Sequence, residues 1–76
     1  MDVKERKIRL AADDAGEFVK TASKCDFDID IFYNRVIIDA KSILGVLGLD
    51  FSQVLTVKYG GEDWEFESMI KRHVVG

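Results

Sequence analysis

The sequence predicts an α+β fold: a four-stranded antiparallel sheet with helices on one face, in the order β-α-β-β-α-β-α. Three observations carry this. Residues 26–34, DFDIDIFYN, alternate acid and hydrophobe, the period of a strand with one face to solvent. Ala15, Phe18, Val19 and Ala22 recur at i, i+3, i+4 and i+7, the stripe of an amphipathic helix. Strand-like and helix-like segments segregate in a way that fits an antiparallel sheet.

Taken in order, residues 5–11 alternate apolar Ile8 and Leu10 with charged Lys7 and Arg9, a half-buried strand by period. Asp13 and Asp14 then offer cap oxygens to the first helix, although Gly16 weakens its first turn. After the acidic strand, Asn34-Arg35 separates it from VIID, and Asn tolerates the left-handed backbone of a two-residue hairpin. A tight turn sets Tyr33 opposite Val36, Ile31 opposite Ile38, and Phe32 with Ile37 on the other face.

Residues 42–47 form a short helix, poor because Gly45 interrupts it and Gly48 follows it. Residues 53–59, QVLTVKY, are β-rich and bounded by Asp50 and Gly60-Gly61, a further strand. Phe66, Met69, Ile70, His73 and Val74 follow at helical spacing. Glu62 and Asp63 precede that stripe and Lys71 and Arg72 stand near its end, an arrangement that suits the helix dipole.

Length and charge bound the function. The chain has 76 residues, read here as one domain, 1–76, with a core too thin to surround a large active-site cavity. A net charge of -3 disfavours a general nucleic-acid binder. Cys25 is the single cysteine, so no internal disulfide is possible and the cytoplasm is the expected compartment. No apolar run resembles a signal peptide or a membrane span, so no membrane insertion is expected.

Few residues invite chemistry. Asp26, Asp28 and Asp30 have the spacing that opens a calcium loop. Ile31, however, stands where the turn glycine belongs and Ile37 where the bidentate glutamate belongs. A solvated strand face is the better reading, and no metal is expected. His73, the single histidine, has no cysteine or second histidine beside it, and a helix C-terminus turns carbonyls, not amides, toward a phosphate. Cys25 reads as a small buried filler; Trp64 could be an exposed partner anchor, but a core-edge role is favoured. Lys41-Ser42 lacks the upstream glycines of a phosphate-binding loop. No cofactor is expected.

Ser42 is the residue with a second use. It can cap the short helix, and a phosphate there would meet a helix N-terminus rather than a hostile site. The helix behind it carries Ile43, Leu44, Val46 and Leu47, which span more than one face of so short a segment. At least one or two of them should be exposed, and an exposed apolar patch beside a modifiable serine reads as a docking surface with a switch.

KSILGVLGL, from Lys41 to Leu49, resembles the regulatory-serine segment of HPr, the phosphocarrier of the bacterial sugar phosphotransferase system, as found in Gram-positive bacteria. TASKCDFDIDIFYN, from Thr21 to Asn34, resembles the end of that family's first helix and its second strand. The resemblance covers nearly the whole chain and implies an HPr-like open-faced β-sandwich, the order already read above. It implies that Ser42 matches the serine phosphorylated by HPr kinase/phosphorylase with ATP. It further implies that Ile43, Leu44 and Leu47 match the patch that meets other proteins, that kinase and a transcriptional regulator among them.

The departure lies between the first strand and the first helix. The family carries its phospho-accepting histidine there, with an arginine and a proline close behind. Here the segment reads LAADDAGEF. Ala11 or Ala12 takes roughly the histidine's place, and Asp13 and Asp14 set carboxylates where a cation helped the phosphate. His73 is read as lying at the wrong end to substitute.

The resulting expectation is a regulatory, protein-binding HPr-like chain that is not itself an enzyme, similar in logic to the catabolite-repression HPr-like proteins. The alternatives are a phosphocarrier for sugar transport using an unrecognised acceptor, or a degenerate binding domain without phosphorylation. Phe32 and Ile37 on the outer face leave the expected state a monomer or a weak dimer.

Overall fold

The computed structural model describes residues 2–75. Its strands are β1 (Lys4–Ile8), β2 (Ile29–Tyr33), β3 (Val36–Asp39) and β4 (Leu55–Tyr59), and its helices are α1 (Ala15–Ser23), α2 (Ile43–Leu47) and α3 (Trp64–Lys71). The strands form one antiparallel sheet in the order β1-β4-β2-β3. The predicted order of elements is therefore the observed one.

One face of the sheet is covered. Ile8, Ile29, Ile31, Leu55 and Val57 point into a core shared with Ala15, Phe18 and Ala22 of α1, Val46 of α2, and Phe66, Met69 and Ile70 of α3. The i, i+3, i+4, i+7 stripe of α1 is buried throughout, because only that face meets the sheet. The hairpin register is the predicted one: Tyr33 pairs Val36, Phe32 pairs Ile37 and Ile31 pairs Ile38. Asn34 supplies the turn's positive φ of 51°, a conformation that asparagine adopts at little cost.

α1 and α3 run antiparallel, tied at both ends by ion pairs: Glu17 with Arg72 at 3.1 Å, and Lys24 with Glu65 at 3.4 Å. At the rim of the core Glu67 of α3 accepts from the Tyr59 hydroxyl and pairs with Lys4 and Arg6 of β1. Burial, reinforced by the Glu67 carboxylate, pushes the Tyr59 phenol far above its ordinary range. This cluster closes the β1 side of the sandwich with charges that satisfy one another.

Several boundaries differ from the sequence reading, each for a physical reason. β1 ends at Ile8 rather than running to residue 11. β2 starts at Ile29, so Asp26 and Asp28 precede the strand, while Phe27 packs against Tyr59 with ring centroids 6.1 Å apart. Gly61 permits that packing, since a Cβ there would lie 2.1 Å from the Phe27 ring. β4 starts at Leu55, because Asp50 first closes a turn by accepting from the amide and the hydroxyl of Ser52 at 3.0 and 2.7 Å. Trp64, expected at the core edge, is 78% exposed, because it opens α3 on the side away from the buried stripe.

The largest change is at the C-terminal end. α3 stops at Lys71, and His73 and Val74 leave the helix. Val74 bridges Ile8, the Arg9 amide donates to the His73 carbonyl at 3.0 Å, and the Val75 amide donates to the Lys7 carbonyl at 2.8 Å. The free edge of β1 offered backbone groups that a continued helix would have left to water.

Candidate functional site

Ser42 has extended backbone angles, and its Oγ accepts from the Gly45 amide at 3.2 Å. It is the N-cap of α2, as the sequence suggests. Lys41, just before it, donates from Nζ to the Cys25 carbonyl at 2.8 Å, and its amide donates to Asp39 Oδ1 at 2.9 Å. These two bonds fix the entry to α2 against the end of α1 and the end of β3. Cys25 is buried, as expected of a filler; burial foremost pushes its thiol up.

Gly45 explains why the helix is built from poor helix formers. A Cβ at that position would stand 2.6 Å from Ile38 Cγ2 of β3 and 3.2 Å from Ser42 Oγ. The glycine lets α2 lie close on the hairpin and keeps the serine cap in place. Val46 takes up the inward position at 0% exposure. A helix of 5 residues has only one such face. Leu44 is therefore left 83% exposed, with Leu47 at 49% and Ile43 at 41%. At least one or two exposed hydrophobes were expected here, and the geometry leaves three.

The loop between β1 and α1 is built otherwise. Ala12–Asp14 form a single 3-10 turn that runs straight into α1. Asp14 does not cap α1 with its side chain, as the sequence suggests. Its Oδ2 turns back to accept from the Ala11 amide at 2.8 Å, and its amide donates to the Ala11 carbonyl at 2.9 Å. Ala11, Ala12 and Asp13 are exposed. The segment so offers two methyl groups and two carboxylates at the surface and no nitrogen nucleophile of its own. His73 is nearer to this loop than its place in the sequence suggests, since its carbonyl holds the amide of Arg9. Among the described residues no group of histidine, cysteine, aspartate and glutamate side chains could hold a metal ion. No helix of the described residues is long and apolar enough to cross a membrane.

With the open sheet and the α2 site in place, comparison with known proteins decides the family. Residues 5–67 match the family model described as the PTS HPr component phosphorylation site. The chain belongs to the HPr family.

Three solved HPr-family structures share its fold. The HPr-C-His protein of Thermoanaerobacter tengcongensis is 30% identical, with a TM-score of 0.68 over 93% of this chain and 92% of that one. The phosphocarrier HPr of Bacillus anthracis is 25% identical, with a TM-score of 0.69 over 95% of each chain. The catabolite-repression protein Crh of Bacillus subtilis, described as an intertwined dimer formed by swapping, is 25% identical, with a TM-score of 0.64 over 92% and 88%. No curated protein sequence matches the chain. The HPr phosphocarrier fold and its α+β architecture are thus those of this chain, and HPr-family proteins act together with other proteins of the phosphotransferase system.

Proposed function

We propose that this HPr-family chain is a regulatory protein of the phosphotransferase system. In this reading residues 1–76 act as one cytoplasmic domain, without enzymatic activity and without a cofactor of its own. It binds other proteins through Ile43, Leu44 and Leu47, and ATP-dependent phosphorylation of Ser42 switches that binding. The carrying observation is the contrast within α2: Val46 is fully buried while Leu44, two residues away, is 83% exposed directly behind a capping serine. A patch held in place by one anchored side chain can meet a partner without reorganising first.

The switch acts by charge. A kinase would move the γ-phosphoryl group of ATP to Ser42 Oγ, the hydroxyl losing its proton and ADP leaving. The product carries about -2 charge at the edge of the apolar patch, where it favours a partner with an arginine and disfavours one with a carboxylate. HPr kinase/phosphorylase and a transcriptional regulator are the partner classes that fit. The loop at Ala11, Ala12, Asp13 and Asp14 plays no part in transfer in this reading, because it offers no acceptor and repels the group.

Incubation with HPr kinase and ATP, followed by peptide mapping, tests the proposal. One phosphate on Ser42, and none on the Ser42→Ala chain, is expected; phosphate on another residue of Ser42→Ala would count against it. The contact of His73 with Arg9, beside the loop, is the one observation that favours a carrier role through another acceptor. Acid-labile phosphate after incubation with enzyme I and phosphoenolpyruvate would support that role. A partner lost by Leu44→Asp or Leu47→Asp, in a chain never phosphorylated at Ser42, would leave a binding domain with Ser42 as a cap only.

A further inference from the structure

The lysine next to Ser42 is engaged at the end of another helix. Lys41 Nζ donates to the Cys25 carbonyl at 2.8 Å, one residue beyond Lys24, the C-cap of α1. A cation there suits the negative end of the α1 dipole. That end has few other ties: the Lys24 amide donates to the Thr21 carbonyl at 3.3 Å and the Cys25 amide to the Ala22 carbonyl at 3.1 Å. Its surroundings are acidic. Burial foremost, and then Asp63, Asp26 and Glu65, push the Cys25 thiol up, while Lys41 acts the other way.

We infer that Lys41 carries the Ser42 switch to α1: a phosphate on Ser42 draws the Lys41 ammonium off the Cys25 carbonyl and so loosens the end of that helix. The inference rests on Ser42 as the modified residue and adds a second region that the modification reaches. Adjacent Cα atoms lie ~3.8 Å apart, and the four-carbon stem of lysine is long enough to bring Nζ to a phosphate on the next residue. Lys41 is also the single base from residue 36 to residue 57. The α2 segment therefore has no other cation of its own to offer.

The two acceptors are unequal. The Cys25 carbonyl is neutral, whereas the phosphate brings about -2 charge and three oxygens, so the pull of opposite charges is added to the hydrogen bond. Asp39, whose Oδ1 accepts from the Lys41 amide at 2.9 Å, holds the backbone of Lys41 in place while the side chain turns. Once Nζ has left, Asp26, Asp63 and Glu65 lose a cation that opposed them. The end of α1 then becomes more negative together with α2, and one modification alters two surfaces.

The test uses the full chain with phosphoserine inserted at position 42 during synthesis, so no kinase is needed. A kinase that ignored Ser42 would count against the proposed function alone, and the two ideas fail separately. Amide shifts caused by the phosphate should fall in two sets, one at residues 42–48 and one at Lys24, Cys25 and Asp26. Hydrogen exchange of the Lys24 and Cys25 amides should quicken about two- to fivefold, the worth of a cation at a helix end. In Lys41→Met the phosphate should still shift residues 42–48, but the second set and the faster exchange should be absent. Lys41→Arg should restore both. Unmoved amides at Lys24, Cys25 and Asp26 in the phosphorylated native sequence would overturn the inference. So would a second set of shifts that persists in Lys41→Met.

Discussion

Two helix starts in this small sandwich, those of α1 and α2, are built from opposite chemistry. The start of α2 is a serine cap with apolar residues behind it and no carboxylate in its first turn. The start of α1 is preceded by two carboxylates, one of which is folded back onto Ala11. Both present backbone amides, so the helix dipole alone cannot explain where a phosphate would be welcome. The neighbouring side chains decide. A phosphoryl group at Ser42 meets amides and hydrocarbon, whereas one at Ala11 or Ala12 meets Asp13 and Asp14. In the proposed reading, the family fold is kept while one of its phosphate-handling ends is taken out of use.

Substitutions can break or sharpen that contrast. The largest expected effect is at the anchor of α2: Val46→Asp buries an unpaired charge and should cost about 3 kcal/mol or more, read as a lower urea midpoint. Leu44→Asp, on the same short helix, should change stability by no more than about 0.5 kcal/mol while abolishing partner binding in calorimetry. A comparable loss of stability in both variants would mean that the patch is core rather than docking surface. Ser42→Ala removes the cap and should cost about 1 kcal/mol. Asp14→Ala removes only the bond to the Ala11 amide and should cost slightly less, about 0.5–1 kcal/mol. Reversal of that order would show that the loop at 11–14 is held more tightly than α2.

The smallest effect is a pH dependence at the exit from α2. The Ser52 hydroxyl, and then the Ser52 amide, hold the exposed Asp50 carboxyl below its ordinary value of 3.8. A carboxylate with a depressed folded value adds stability that is present in full above 3.8 and is lost as pH falls through the folded value. Asp50→Asn should remove only that acid-side slope. Urea midpoints of the two chains should run parallel from pH 5 to 8 and converge below about pH 4.

The fold was legible in the sequence where a period was imposed by burial on one side. The α1 stripe, the β2 and β3 register and the serine cap all follow from residues whose neighbours in sequence are also their neighbours in space. What was not legible depended on distant partners. Nothing near His73 reveals that β1 offers it an unfilled strand edge. Nothing near Gly61 reveals that Phe27 fills the space a side chain would take. Trp64 looked like core by residue type, but its position in the first turn of α3 turned it outward. The cap and the exposed residues of α2 were legible because their logic is local: one cap, one anchor and too few residues to bury the rest. Gly45 was legible only as a weak helix former, since the close approach of Ile38 that explains it comes from another strand.

The most direct test pits the two helix starts against each other on the same protein. One sample is incubated with HPr kinase and ATP, another with enzyme I and phosphoenolpyruvate, and intact mass is read for both. The account predicts one added phosphate in the first, mapped to Ser42, and none in the second. An acid-labile phosphate in the second sample, with Ser42 untouched in the first, would contradict it.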